Sequence, residues 1–225
     1  MKKVFFLLLV VLLAVPAFSQ MRAEFTDVTG KVEIRAGSGA WRGATVGMVI
    51  DDNTTISTGF NARATLLLGE SAIQVEQLTR MVFEEIVESQ DTVSTNLFLN
   101  VGRVSAEVRN TDDRSQDFRV RSPLSTAAVR GTSFSFDGER LVVSEGVVAF
   151  VNRLNQQRSV GAGQASTTTG SEPPRDPADV ASEDSTVNTA PVGSGSDDEG
   201  DEGAPMDTTP QGPRSTRGSV FVTID

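Results

Sequence analysis

The chain has 225 residues, of which 38% are hydrophobic and 6% aromatic, and it contains no cysteine, histidine or tyrosine. Its formal net charge is −10, from 20 basic and 30 acidic side chains. These counts exclude disulfides, thiolate metal sites, cysteine nucleophiles and histidine general bases. They also argue against nucleic-acid binding, which requires a basic surface.

The first residues predict an export signal. Lys2 and Lys3 precede an uninterrupted apolar run from Val4 to Val15, and Pro16 ends it. Small residues then stand at the −3 and −1 positions of a cleavage site after Ser19, so we predict a signal peptide over residues 1–19. The alternative is a retained membrane anchor, but the run is about a dozen residues and a span needs roughly 20. We therefore expect a periplasmic or secreted protein with no stable membrane span after cleavage.

Residues 20–165 show the period-two alternation that is typical of β-strands. Val104 and Ala106, for example, alternate with Arg103, Ser105 and Glu107. Glycine, asparagine and aspartate separate such runs at short intervals, and these residues tolerate the backbone angles of tight turns. We predict one all-β domain of roughly a dozen strands over residues 20–165, which is long enough to bury a single core.

One segment of this domain fits two structures. Val75, Leu78, Val82 and Ile86 would share one side of a helix, and the neighbouring glutamates favour helices. The same segment fits two strands, at 71–76 and 80–87. We favour strands because of the β-branched residues and the all-β surroundings.

Residues 166–218 are rich in Ser, Thr, Gly, Pro and Asp and contain few apolar side chains. Such a segment cannot bury enough apolar surface to offset the entropy of ordering it, so we predict a disordered acidic linker. Its acidic cluster at 196–203 does not have the ligand spacing of a calcium-binding loop, and no metal is predicted. In residues 219–225, Val220, Val222 and Ile224 alternate with other residues, which predicts a terminal strand that could return to the domain.

Several short motifs follow one another in the predicted domain. Trp41 precedes Gly47 and Asp51, and the run Ile56-Ser57-Thr58-Gly59 comes next. Far downstream lie Val129-Arg130-Gly131-Thr132-Ser133-Phe134 and Glu145-Gly146-Val147-Val148. In this order and spacing, the chain resembles the FecR domain family over about residues 28–165.

The resemblance implies a twisted, solenoid-like β fold. The family is named for a regulator of iron-citrate uptake, in which a cytoplasmic segment holds a sigma factor and a periplasmic FecR domain reads a TonB-dependent receptor. In this chain only Met1, Lys2 and Lys3 precede the apolar run. We therefore do not carry over the sigma-regulating activity, and we expect a stand-alone exported FecR domain.

The motif residues have structural and functional interpretations. Arg130 could open a recognition loop for carboxylates or phosphates, or it could pair with a carboxylate beside a tight bend at Gly131. Trp41 could stack on a sugar or cover one end of the core. We favour a structural role for all twelve motif positions: Trp41, Gly47, Asp51, Ile56, Thr58, Gly59, Arg130, Gly131, Thr132, Phe134, Glu145 and Gly146.

Catalysis finds little support in the sequence. Histidine-based triads and histidine zinc sites are impossible, and no phosphate-binding loop or dinucleotide fingerprint is present. We predict no catalytic, cofactor-binding or metal-binding residues and no cofactor. Two function hypotheses remain: a binding module that engages an envelope protein or a polymer such as a polysaccharide, and a signalling component that reports envelope state to a membrane-bound regulator.

Overall fold

The computed structural model describes residues 22–89, 92–110 and 115–187. Within them the chain forms seventeen β-strands and one α-helix, which confirms the predicted all-β class. No helix among these residues is long and apolar enough to cross a membrane. The predicted signal peptide, residues 188–218 of the predicted linker, and the predicted terminal strand lie outside the described residues.

The strands and the helix follow one another along the chain in this order: β1 (Ala23–Thr29), β2 (Val32–Ala36), β3 (Arg42–Gly43), β4 (Val49–Ile50), β5 (Thr54–Thr58), β6 (Arg63–Leu68), β7 (Ser71–Val75), β8 (Arg80–Glu88), β9 (Thr92–Val101), β10 (Val104–Glu107), β11 (Ser115–Arg121), β12 (Ser125–Val129), β13 (Ser133–Phe136), β14 (Arg140–Glu145), β15 (Val147–Asn152), β16 (Gln157–Gly161), β17 (Gln164–Thr167) and α1 (Pro177–Val187).

The strands form two sheets. Sheet A has the order β17-β14-β13-β10-β7-β6-β1-β4, and sheet B has the order β16-β15-β12-β11-β9-β8-β5-β2-β3. Apart from β3 and β4 at one end, the order in each sheet follows the order along the chain. Neighbouring strands are antiparallel except for β9 and β11, which pair in parallel. The chain therefore adds one or two strands to one sheet and then crosses to the other.

One hydrophobic core lies between the sheets. The buried positions alternate along most strands, as the period-two pattern predicts, and those of both sheets form a single cluster. Phe118 of sheet B meets Phe134 of sheet A edge-on, with ring centroids 6.2 Å apart. Phe136 and Phe150 repeat that contact, again from opposite sheets. Burial of such side chains contributes roughly 1.5–3 kcal/mol each.

The ambiguous segment is a pair of strands, β7 and β8, as predicted. The two strands belong to different sheets, so the turn between them carries the chain across the core. Leu78 in this turn has a φ of +55°, in the left-handed region. A helical interpretation fails because the pattern of buried residues has a period of two on both sides of that turn.

The predicted disorder is wrong for residues 166–187. Strand β17 pairs with β14 up to Thr167, and α1 follows after a short connection. The Arg175 N–H donates to the Thr167 carbonyl at 2.9 Å, and the Ser166 hydroxyl donates to the Arg175 carbonyl at 2.7 Å. The connection thereby covers the outer edge of sheet A, where backbone groups would otherwise lack partners.

Side chains also tie this C-terminal segment to the domain. Arg158 of β16 donates to the Pro174 carbonyl at 2.7 Å and to Asp176 at 2.9 Å. Arg140 of β14 donates to Asp184 of α1 at 2.6 Å, and Val180 is buried. The segment needs few apolar residues of its own, because it packs on an apolar surface and a strand edge that already exist.

Candidate functional site

The Arg130-Gly131-Thr132 turn carries the chain from β12 in sheet B to β13 in sheet A. Gly131 has a φ of +60°, which glycine adopts without a steric penalty. Thr132 is buried, its Oγ1 lies 3.2 Å from the Arg130 carbonyl oxygen, and its carbonyl accepts the Val108 N–H at 2.9 Å. Arg130 itself makes no ion pair with any described residue, contrary to the pairing expected for it. Gly131 and Thr132 therefore hold the crossover together, while Arg130 is exposed.

Gly146 packs directly on that turn. It has a φ of +83°, and a β-carbon there would lie 2.9 Å from Thr132 Oγ1 and 3.0 Å from the Gly131 carbonyl oxygen. Phe134, two residues after Thr132, is buried in the core. The two most specific motifs of the sequence thus contact each other, with Gly146 facing the Thr132 side chain and the Gly131 carbonyl.

A cavity of about 430 Å³ opens beside these motifs, and its lining includes Glu70, Glu107, Arg109, Asn110 and Glu145. Arg109 donates to the Glu107 carboxylate. That hydrogen bond is the main cause of a raised Arg109 pKa, and the charges of Glu107, Glu70 and Glu145 add to it. The guanidinium therefore stays charged and neutralises part of the acidic lining, which leaves a solvated ion-pair surface.

The Ile56 to Gly59 motif fixes the turn between β7 and β8 to the end of β5. Ile56 is fully buried in the core. The Thr58 hydroxyl donates to the Glu76 carbonyl at 2.6 Å and accepts the Thr79 N–H at 2.9 Å. Thr58 thus satisfies backbone groups that would otherwise be buried without a partner.

Thr79 extends this network to the next turn, between β9 and β10. Its hydroxyl accepts the Arg103 N–H at 3.0 Å and lies 3.2 Å from the Arg103 carbonyl oxygen. A β-carbon on Gly102 would lie 2.4 Å from Thr79 Cα. Neither Thr79 nor Gly102 was predicted from the sequence, because only the fold brings these two turns together.

The earlier motif positions lie near β4. Gly47 has a φ of +82°, and its N–H donates to the Phe25 carbonyl at 2.8 Å. Asp51 pairs with Arg22 at 3.0 Å on the surface. Gly47 closes a turn, and the Asp51 pair is too exposed to contribute more than a small stabilisation.

Trp41 is not part of the buried core, contrary to the favoured expectation that it covers one end of it. It lies before β3 and is 39% exposed. The Arg35 guanidinium carbon is 4.8 Å from the ring centroid, and that of Arg80 is 5.8 Å away. Trp41 therefore contacts two cations on the outer surface of sheet B.

A second surface was not foreseen from the sequence. We call it the apolar edge, and it consists of four exposed side chains at or just after the ends of β5, β7, β9 and β15: Phe60, Leu78, Val101 and Leu154. Each is between 57% and 73% exposed. Each of the four is flanked by polar residues or glycine, a pattern that does not by itself distinguish an exposed apolar residue from a buried one.

Contacts between successive turns join these residues into one surface. The Leu78 N–H donates to the Gly59 carbonyl at 3.2 Å, next to Phe60. A cavity of about 440 Å³, whose lining includes Val101, Pro123 and Leu124, continues the edge. The Arg153 N–H donates to the Leu124 carbonyl at 3.1 Å, and this bond brings Leu154 next to that cavity.

Metal-binding geometry is not found in the part of the chain that the structure describes, where no three acidic side chains are grouped to hold an ion. In surface ion pairs, hydrogen bonding to a partner of opposite charge raises the pKa of Arg109 and of Arg175 and lowers that of Glu183.

Comparison with known families bears on the motif-bearing strands. Residues 54–149 match the family model described as FecR protein. The predicted resemblance is confirmed there. The FecR match begins after Trp41, Gly47 and Asp51, so it is shorter than the range that the motifs indicated.

Other comparisons are more distant. No curated protein matches the sequence. Two crystal structures of a Parabacteroides distasonis protein, described as a "putative anti-sigma factor", resemble the chain at 16% sequence identity, with TM-scores of 0.44 and 0.43. The similarity covers 56% and 57% of this chain and 62% and 63% of those chains.

Proposed function

We propose that this chain is a non-enzymatic extracytoplasmic binding module that engages an envelope partner, and that the apolar edge is its contact surface. The partner best suited to this edge is a protein that presents an extended segment with apolar side chains. The observation that carries the proposal is Leu78, which is 57% exposed and has a φ of +55°.

Leu78 is unfavourable for folding in two respects. A leucine in the left-handed region costs roughly 1–2 kcal/mol relative to the right-handed one, and asparagine or glycine would relieve that cost. Its side chain also gains little from burial, because more than half of it faces solvent. Residues that are strained and exposed in this way are typical of functional surfaces.

The geometry of the edge favours an extended partner segment. The four side chains follow successive turns, and neighbouring strands in a sheet are roughly 4.8 Å apart. The cavity beside Val101 and Leu124 is large enough to take an apolar side chain of such a segment. A linear row with one concave position is better matched by a chain than by a compact small molecule.

The FecR motif supports this edge from inside. Thr58 holds the β7–β8 turn that presents Leu78, and Thr79 holds the Gly102 turn that presents Val101. The motif residues would then act on binding indirectly, by fixing the positions of the turns.

The substitution Leu78→Asn tests the proposal. We expect the free energy of unfolding to stay equal or to rise, since asparagine tolerates the left-handed region, while capture of the partner from an envelope extract falls about tenfold or more, a loss typical of an interface anchor. Val147→Asn is the matched control, because Val147 is 58% exposed and lies at the opposite ends of the strands. Unchanged capture by Leu78→Asn, or an equal loss in the control, would contradict the proposal.

Signalling is the second candidate function, and the FecR match over residues 54–149 favours it. In this case the chain reports envelope state to a membrane-bound regulator. A partner with a cytoplasmic domain, cross-linked at the apolar edge, would support signalling. A partner that lacks any membrane-bound or cytoplasmic part would support the simpler binding role.

The proposal also includes export and domain form. Residues 1–19 act as a cleaved signal, so the mature chain is periplasmic or secreted, and cell fractionation with N-terminal sequencing tests this.

The chain-ordered addition of strands to both sheets supports a solenoid-like description of the domain. Eleven of the twelve motif positions are proposed to be structural, and Trp41, which contacts two arginines at the surface, is the exception.

A further inference from the structure

Most basic side chains in the described residues are held in ion pairs. Ten of them have a carboxylate oxygen within 4 Å. Five arginines among residues 22–89, 92–110 and 115–187 have none: Arg35, Arg42, Arg80, Arg130 and Arg153. Two of these five, Arg35 and Arg80, contact the same Trp41 ring.

Arg35 has no carboxylate partner although it is partly buried, where an unpaired charge is unfavourable. Arg35 is partly buried, and its Nε atom is fully buried without a hydrogen-bond partner. A cation that is taken out of water without a counter-charge is unfavourable, and the ring of Trp41 offsets only part of that cost. The buried Nε is out of reach of an external anion, which would instead bind the terminal N–H groups of Arg35 and Arg80, for which no acceptor is found among the described residues.

Two carboxylates on the outer faces of these strands pair with other cations, and neither pairs with Arg35 or Arg80. Glu33, on the same face of β2 as Arg35, is bound to Lys31 at 3.0 Å. Glu84 of β8 is bound to Arg121 at 2.6 Å. The positive charge around Trp41 therefore persists on a chain whose overall charge is −10.

We propose that Arg35 and Arg80 form an anion-binding site for carboxylate or phosphate groups of an envelope polymer, and that Trp41 is its positioning residue. The inference rests on the proposed binding function and adds a second surface with its ligand chemistry. Guanidinium groups present planar forks of N–H donors that match these oxyanions. Because both guanidinium carbons lie within 6 Å of one ring centroid, they can engage neighbouring charged groups of one polymer.

The chain offers a direct probe of this site. Trp41 is its only tryptophan, and tyrosine is absent, so fluorescence excited at long wavelength reports this position alone. The mature full-length chain is titrated with polygalacturonate, which carries carboxylates, with inorganic polyphosphate, and with neutral dextran. We expect a saturable change in emission with at least one polyanion and none with dextran. The polyanion that binds more tightly identifies the source of the anionic group.

The double variant Arg35→Gln/Arg80→Gln should weaken the midpoint of this titration about tenfold, the loss expected for charge-assisted hydrogen bonds. Its matched control is Arg130→Gln/Arg153→Gln, which removes the same charge from two other unpaired arginines and should leave the midpoint within about twofold. The absence of a saturable response to both polyanions, or an equal loss in the two double variants, would overturn the site.

Two further variants distinguish the anion site from the apolar edge and from an effect of residues 188–225. Leu78→Asn should leave the titration unchanged, so a failure of the anion site and a failure of the apolar edge can be told apart. If deletion of residues 188–225 changes Trp41 emission while added polyanions do not, the polymer assignment is wrong.

Discussion

At Gly146 the backbone leaves room for hydrogen alone on the α-carbon. Its φ of +83° disfavours a side chain, and a β-carbon would lie within 3.0 Å of both Thr132 Oγ1 and the Gly131 carbonyl oxygen. We expect Gly146→Ala to lower the free energy of unfolding by about 2–4 kcal/mol, from backbone strain plus a steric clash. Urea denaturation measures this loss.

Gly163→Ala is the matched control for that substitution. Gly163 has a φ of +73°, but nothing lies within 4 Å of the position that its β-carbon would take. Only the conformational cost of about 1–2 kcal/mol should therefore appear. Equal losses at the two positions would show that the contact between the two motifs contributes nothing.

Thr58 provides a second test at the scale of single residues. Thr58→Val keeps the shape of the side chain but leaves the buried Thr79 N–H without its acceptor. We expect a loss of about 1–3 kcal/mol in the free energy of unfolding. Thr65→Val, on the outer face of sheet A, should stay within about 0.5 kcal/mol. A neutral Thr58→Val would mean that water or a shifted turn replaces the hydroxyl.

The sequence was informative about residues whose role depends on local backbone shape. The glycines at 131 and 146 and the threonines at 58 and 132 sit where the motifs predicted structural positions, and their contacts fit such roles. The exposure of Trp41 and Leu78 was not foreseen, because it depends on which turns and strands the fold brings beside them. No local pattern distinguishes an apolar residue in a buried turn from one in an exposed turn.

Among the elements, strand content was predictable because alternation survives wherever one face of a strand is buried. The C-terminal segment was not, since residues 166–187 are ordered by a surface that lies elsewhere in the chain. Composition describes what a segment can bury by itself. In this fold hydrogen bonds order the segment instead. The Ser166 hydroxyl donates to the Arg175 carbonyl, the Arg175 N–H donates to the Thr167 carbonyl, and Asp184 accepts from Arg140 of β14.

The ion pair between Arg175 and Glu183 gives this element a pH dependence. The hydrogen bond from Arg175 lowers the pKa of Glu183 below its ordinary value, and the opposing effect of desolvation is smaller. Since the folded pKa is depressed, the stabilisation is present at pH values above the ordinary pKa of about 4.3 and is lost as the pH falls through the folded pKa. The attachment of α1 should therefore weaken only in acid.

NMR titration of the Glu183 carboxyl measures this shift directly. We expect a midpoint below that of a model glutamate, and a return toward the ordinary value in Arg175→Gln. The ion pair would be irrelevant to the segment if Glu183 titrated identically in both proteins.

In the molecule as a whole, the buried motif residues stabilise the fold, and we propose that exposed side chains bind the partner. The FecR motif fixes turns between two sheets, while exposed side chains on those turns form the apolar edge. Fold class followed from the sequence because one period dominates residues 20–165. The apolar edge could not be predicted from the sequence, because its residues are far apart in the chain and become neighbours only when the strands pair into sheets.

Site-specific photo-crosslinking tests this division most directly. A photoreactive amino acid is placed at Leu78 or at Val147, which are 57% and 58% exposed. Each protein is irradiated in the intact envelope. We predict a discrete cross-linked protein from position 78 and none from position 147. Cross-links to one partner from position 147 alone, or equally from both positions, would contradict the assignment of the apolar edge as the binding surface.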